Sequence, residues 1–303
     1  MDRLGAELGF PSGGLLVKRD DLTALAGGGN KVRKLERLCA DALAAGADAL
    51  VTGGGRQSNH VRMTAAAANR LGLACTVVLA SEPPDAPTGN VVLDELLGPE
   101  MVWAGDLDYA ALEERIVVEA DRLRACGHHP YAIPIGGAST IGALSYVDAA
   151  RELAAQVPDV DLVVVADGSG GTHAGLVAGL SDHAKVLGVD VGTRPDLDAA
   201  VPAMAEEVAS VAGLRAPIGI TQVDHEHFGT DYGDPTDACR DALLLAARLE
   251  GLVLDPVYTG KAMVALIAAA REGRIDAASQ RVVFMHTGGM PALFSSRYAG
   301  WLR

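Results

Sequence analysis

The stretch DLVVVADGSGGTHAGLVAGL at 161–180 decides the fold. It sets a near-continuous apolar run, 161–166, against a glycine loop and then a helical segment from about Thr172 to Leu180. An unbroken apolar run is expected of a strand buried on both faces, as in a parallel sheet covered by helices. A second such run follows at 186–191, so the order is strand, loop, helix, strand. That is the repeating unit of a parallel α/β sheet.

Working outward, the same alternation covers almost the whole chain. Strand patterns fall at 15–18, 49–52, 74–80, 101–104, 131–135 and 281–285. Helical patterns fall at 31–45, 58–71, 140–156, 199–212, 236–249 and 261–271. The segment 218–234, rich in His, Asp and Gly, reads as a loop over a site. Glycine turns are expected at strand ends, at 53–55, 136–137, 168–171 and 288–289. Ligands bind at that edge of open parallel sheets, so these turns point to one shared cleft.

The 303 residues allow one large or two medium domains. Aromatics are only 4%, so the core must be built from Ala, Val and Leu. A net charge of -14 provides no broad cationic field, which argues against nucleic acid or an anionic membrane as partner. No apolar stretch has the length of a membrane span, and no basic segment followed by an apolar run marks a signal peptide. Cys39, Cys75, Cys126 and Cys239 lack metal spacing; the first three read as buried thiols, and a reduced cytoplasm is the expected setting. The histidines likewise show no metal-ligand spacing, so no metal site is expected.

Upstream, GGGNKVRKLE at 27–36 places Lys31 straight after a triple glycine, at a helix start. Most lysines in such places are surface residues. Three glycines cost backbone entropy for which a surface helix has no use, so the turn reads instead as pinning Lys31 in a cleft, where it could form a Schiff base. Lys34, one turn on, could supply a nearby cation or hold a phosphate. The loop at 168–175 has three readings. It could cup a phosphate with the backbone N–H groups at 169–172 and the Thr172 hydroxyl, serve as a dinucleotide fingerprint with Asp190, or be a plain strand-to-helix turn. His173 stands where the fingerprint needs its third glycine. Together, a turn-bound lysine and a phosphate loop suggest pyridoxal phosphate.

Ser58 and Asn59, after the glycines at 53–55, suit a helix N-cap and also a cleft wall. Tyr232 and Tyr258 lie in loops beside Gly and Pro, where a phenol either packs or moves a proton.

With these residues assembled, the chain resembles the pyridoxal-phosphate family of D-cysteine desulfhydrase and 1-aminocyclopropane-1-carboxylate (ACC) deaminase, on the tryptophan-synthase-β-like fold (fold type II). The carriers are VKRDDLT at 17–23, GGNKVRKLE at 28–36, QSNHVR at 57–62, GSGGTHAGL at 168–176, DPVYTGKAM at 255–263 and HTGGMPALF at 286–294. The resemblance implies an α/β fold of two open, twisted, mostly parallel sheets flanked by helices. Residues 1–32 plus 144–303 would form a large cofactor-binding domain and 33–143 a small one. It assigns Lys31 the covalent link to the cofactor, and Lys34, Ser169, Gly170, Gly171 and Thr172 the phosphate. Asn59 would bond the cofactor's 3′-oxygen, and Thr287 would offer a neutral hydroxyl to it. Ser58, Asn59, His60 and Tyr258 would meet the substrate, with Ser58, Tyr232 and Tyr258 joining Lys31 in catalysis.

The implied reaction is α,β-elimination from a small amino acid, D-cysteine first, in a cytoplasmic homodimer. ACC ring opening and cysteate cleavage are the alternatives on the same fold; a dinucleotide-dependent oxidoreductase is the distant one. Thr259 stands where the deaminase branch has a glutamate, which favours elimination of a good leaving group over ring opening. Two departures stand out. The N-terminal segment is short for the family, and Arg56 precedes Gln57 where an apolar residue is usual.

Overall fold

The computed structural model describes residues 1–302. A short helix α1 (Asp2–Glu7) leads into β1 (Leu15–Arg19), followed by α2 (Lys31–Ala44), β2 (Ala49–Gly55), α3 (Asn59–Leu71), β3 (Ala74–Ala80) and α4 (Asn90–Leu97). Next come β4 (Glu100–Trp103), α5 (Tyr109–Ala125), β5 (Pro130–Ala132), α6 (Thr140–Gln156), β6 (Leu162–Asp167), α7 (Gly171–Leu180), β7 (Val186–Asp190) and α8 (Leu197–Val211). The chain closes with β8 (Gln222–Asp224), α9 (Asp237–Glu250), α10 (Thr259–Arg271) and β9 (Val282–His286).

The strands form two sheets, ordered β1-β9-β6-β7-β8 and β4-β3-β2-β5. Every pairing between them is parallel, as the apolar runs require. β6 is buried along its full length. On one side of its sheet pack α1, α9 and α10, through residues such as Leu4, Leu243 and Leu266; on the other pack α6, α7 and α8, through Tyr146, Leu176 and Val201. Small side chains permit this closeness: Ala65, Ala66, Ala67 and Ala68 are all buried in α3.

Several expectations change. Gly53, Gly54 and Gly55 are not a turn after β2 but its last residues, in register with Val78, Leu79 and Ala80. The strand expected at 131–135 stops at Ala132, because Pro134 has no N–H to continue the ladder; a single 3-10 turn, Ile135–Gly137, follows. The loop at 218–234 contains β8. Among the thiols, Cys39 and Cys239 are buried, Cys75 is half-buried, and Cys126, just past the end of α5, is exposed rather than buried.

Candidate active site

A cavity of about 750 Å³ opens where the C-terminal ends of the two sheets face each other. Glycines from all four expected clusters line it: Gly54, Gly55, Gly136, Gly168, Gly170 and Gly288.

Lys31 enters this cavity from the first residue of α2. The preceding loop is held from outside. Thr23 Oγ1 accepts from Gly29 N at 2.8 Å and donates to Gly29 O at 2.9 Å, while Asp20 accepts from Arg33 Nε at 2.9 Å and from the Tyr146 hydroxyl at 2.6 Å. Gly28 has φ +76°, and a Cβ there would stand 2.1 Å from the Asp21 carbonyl oxygen, so no other residue fits. Lys31 Nζ donates to Gly136 O at 3.3 Å, and Lys34 Nζ donates to the same oxygen at 3.1 Å. Burial lowers the Lys31 amine to about 8, against an opposing pull from Asp167. Burial and then the Lys31 charge push Lys34 well below its ordinary value. Lys34 does not line the cavity; it sits behind the wall under Gly171, whose added Cβ would come within 2.9 Å of Nζ.

The loop at 168–172 joins β6 to α7. Ser169, Gly170 and Thr172 line the cavity, and Gly171 begins the helix. No side chain caps α7, unlike α3, α5, α6 and α9, whose caps are Ser58, Asp108, Ser139 and Thr236. Its first-turn N–H groups therefore have no side-chain partner at an end of the helix that borders the cavity, an arrangement that favours an anion. Thr172 Oγ1 accepts from Asn30 Nδ2 at 3.1 Å, tying α7 to the lysine loop.

Ser58, Asn59 and His60 follow β2 and are buried in the cavity wall. Ser58 Oγ caps α3 by accepting from Val61 N at 3.3 Å, which leaves its O–H free to donate into the cavity. Thr52 Oγ1 commits its hydrogen to Ile133 O at 2.9 Å, so it accepts from His60 Nε2–H at 3.0 Å. The imidazole is then an Nε2–H tautomer with a bare, unpartnered Nδ1 acceptor. Burial, then the Lys31 and Lys34 charges, keep it neutral by lowering its pKa well below the usual range.

Tyr232 and Tyr258 meet across the opposite wall, with hydroxyls 2.5 Å apart and rings edge-on. Burial raises both phenols, so both are neutral; one donates to the other, and the acceptor keeps a free hydrogen. Thr287 also lines the cavity. Thr259 does not. Its Oγ1 donates to Asp255 Oδ1 at 2.7 Å and accepts from Asp255 N at 2.8 Å, so this hydroxyl is spent at the start of α10 and has none to offer a ligand.

Asp167, absent from the sequence-derived set, ends β6 in the cavity wall; its Oδ2 accepts from His173 Nδ1 at 2.7 Å, both side chains being fully buried. The available signal was a carboxylate closing an apolar strand directly before the glycine loop. His173 is thus a partner of Asp167, not a failed third glycine. Asp190 lies outside the cavity wall, its carboxylate accepting from Gly192 N at 2.7 Å and His225 Nδ1 at 2.9 Å, which removes the acidic residue a dinucleotide reading needs. Arg56 is exposed at the rim.

The residues fit a phosphorylated aldehyde. The uncapped α7 and the nearby Lys34 amine suit an anion, and Lys31 offers an amine whose pKa lies low enough to react. Among the described residues, no group of three or more His, Cys, Asp or Glu is arranged to hold a metal ion. No described helix is long and apolar enough to cross a membrane.

Comparison with known proteins agrees on the cofactor. Residues 1–288 match the family described as pyridoxal-phosphate dependent enzyme. A D-cysteine desulfhydrase of Klebsiella pneumoniae (strain 342) is 43% identical over 306 residues, covering 97% of this chain and 90% of that one. Its counterpart from Salmonella newport (strain SL254) is 42% identical over 308 residues, covering 97% and 90%. The crystal structure of an ACC deaminase homologue superposes with a TM-score of 0.89 at 37% identity, covering 99% of this chain and 90% of that one. A threonine deaminase isoform from Solanum lycopersicum, with a TM-score of 0.67 at 14% identity over 99% of this chain and 79% of its own, shares the fold.

Proposed function

Because the chain belongs to the pyridoxal-phosphate dependent enzymes, we propose that it is a carbon–sulfur lyase that converts D-cysteine and water to pyruvate, sulfide and ammonia. The observation that carries this reading is Lys31, a half-buried amine with a lowered pKa, facing neutral proton donors in one cavity. The desulfhydrases named above, alike over nearly the whole chain, support the substrate.

When bound, pyridoxal phosphate supplies an aldehyde that captures amines and a ring that draws negative charge from the neighbouring carbon. Lys34, Ser169, Gly170, Gly171 and Thr172 would hold its phosphate, Lys34 from behind the loop; Asn59 and Thr287 would meet the ring. Lys31 would be its covalent anchor and, as a free amine, would take the proton from the substrate's Cα. The Ser58 hydroxyl donates to the substrate carboxylate, and the bare His60 Nδ1 accepts a hydrogen from the bound amino acid. The Tyr232–Tyr258 pair passes a proton toward the leaving thiolate.

ACC deamination is the second reading, supported by the superposed homologue. Thr287 provides a hydroxyl but no carboxylate, and with Thr259 spent on Asp255 the electron sink stays weak. That is sufficient for a leaving thiolate and poor for ring opening. The sheet membership supports the division into 1–32 plus 144–303 and 33–143. A cytoplasmic homodimer completes the reading.

The test is product assay with D-cysteine, L-cysteine, cysteate and ACC offered separately. Sulfide and pyruvate from D-cysteine are expected; ammonia and 2-oxobutyrate from ACC alone would overturn the assignment.

A further inference from the structure

We propose that Arg62 is a positioning residue: it turns the Asn59 amide so that only its N–H donors face the cavity, and it holds the Lys31 loop beside it. This rests on the reading of Asn59 as partner of the cofactor's 3′-oxygen.

Arg62 lies on α3 one turn beyond Asn59 and is fully buried. Its Nη1 donates to Asn59 Oδ1 at 2.7 Å and also to Asn90 Oδ1, while Nη2 donates to Gly28 O at 3.0 Å. Asn90 Nδ2 donates to Asn59 Oδ1 at 3.1 Å and to Gln57 O at 2.8 Å. A guanidinium carries donors only, so the end of the Asn59 amide that faces it must be the oxygen. An inverted amide would set N–H against N–H in a buried site and forfeit a charge-assisted bond.

With two donors on Oδ1, both lone pairs are occupied. Nδ2 has no protein partner among the described residues and is what Asn59 has left to offer the cavity. A donor there suits an oxygen bearing negative charge. Gly28 lies three residues before Lys31, so one side chain fixes both the donor and the loop that carries the amine. A buried guanidinium is a costly way to fill space, and an apolar side chain would pack there more cheaply.

The experiment compares holoenzymes of wild type, Asn59→Asp, Arg62→Lys and Asn90→Ala. The readouts are the visible absorption band of the bound cofactor, the pH midpoint of that band, cofactor affinity and Tm. Without an aligned donor the 3′-oxygen holds a proton more tightly, so the midpoint moves up. Arg62→Lys keeps the charge but cannot reach Asn59 and Gly28 together; its midpoint rises and its cofactor Kd rises about tenfold or more. Asn90→Ala removes one of two donors and shifts the midpoint less, in the same direction; it decides the matter if Arg62→Lys does not fold. Asn59→Asp keeps the acceptor and loses the donor, and shows the largest shift. If Asn59→Asp leaves band and midpoint unchanged, the reading of Asn59 fails and takes the inference with it. If Asn59→Asp shifts them while the Arg62 and Asn90 variants alter Tm alone, Arg62 is structural and only the inference is overturned.

Discussion

The Lys31 and Lys34 amino groups donate to one and the same carbonyl oxygen, that of Gly136, at 3.3 and 3.1 Å. Gly136 has φ +66°, and a Cβ there would lie 2.5 Å from Ser169 Oγ, so glycine is needed to bring this carbonyl between them. Two amines share one neutral acceptor, and burial lowers the pKa of both, with Asp167 the carboxylate opposing that on both. Charging both amines at once is therefore disfavoured, and an anion placed beside them would favour it.

Replacing Lys34 by methionine should accordingly separate affinity from stability. The cofactor Kd should rise about ten- to a hundredfold, the worth of a charge-assisted hydrogen bond. The apoprotein Tm should stay level or rise, since a buried amine whose charging is disfavoured is gone. A Lys34→Met apoprotein that melts well below wild type would show that Lys34 holds the fold rather than the phosphate.

The pH dependence of cofactor uptake follows from Lys31. Only the free amine attacks an aldehyde, and burial sets its pKa at about 8. The uptake rate should rise with pH and level off above about 8. Asp167 favours the charged form, so Asp167→Asn should move that midpoint down; Asn can still accept from His173 Nδ1 and preserve the packing. Stopped-flow absorbance on apoprotein across pH 6 to 10 reads both. A midpoint that stays put in the variant would detach Asp167 from Lys31.

The tyrosine pair acts as a unit, its hydroxyls 2.5 Å apart. Tyr258→Phe should lower kcat by about 10²–10⁴ with the cofactor band retained, the usual range for a lost general acid. Tyr232→Phe should cost comparably, and the double variant little more than either, because partners in one network are not additive. Additive losses in steady-state kinetics would mean that two independent groups act.

How much of this was legible in the sequence depends on whether a residue acts through its own neighbourhood or through distant ones. The strand 162–167 and its glycine loop were readable because burial on both faces leaves an unbroken apolar run. Lys31, Ser58, Thr172 and Tyr258 sit in local motifs, and all four reach the cavity. Gly53–Gly55 misled because three glycines in a row look like a turn, whereas pairing with 78–80 keeps them extended. Thr259 looked available for a ligand until Asp255, four residues back, was seen to consume its hydroxyl. The Gly136 carbonyl and the Arg62–Asn90 contact join segments 102 and 28 residues apart, and no spacing rule reports such meetings.

Asp94 supplies a stability test outside the cavity wall. It lies on α4, fully buried, and neither carboxylate oxygen has a partner. Burial raises its pKa to about 7, against the opposing pull of Arg62. In the unfolded chain an aspartate titrates near ~3.9. Between those two values the folded protein holds a proton that the unfolded chain has released, so stability is full below about 4 and is lost as pH rises through about 7. Asp94→Asn cannot ionise and should flatten that decline. Its Tm should match wild type near pH 4 and exceed it by several degrees at pH 8, with a ceiling of about 4 kcal/mol from the shift. A variant that is less stable than wild type at pH 8 would show instead that an ionised Asp94 is needed there as the counter-charge to Arg62.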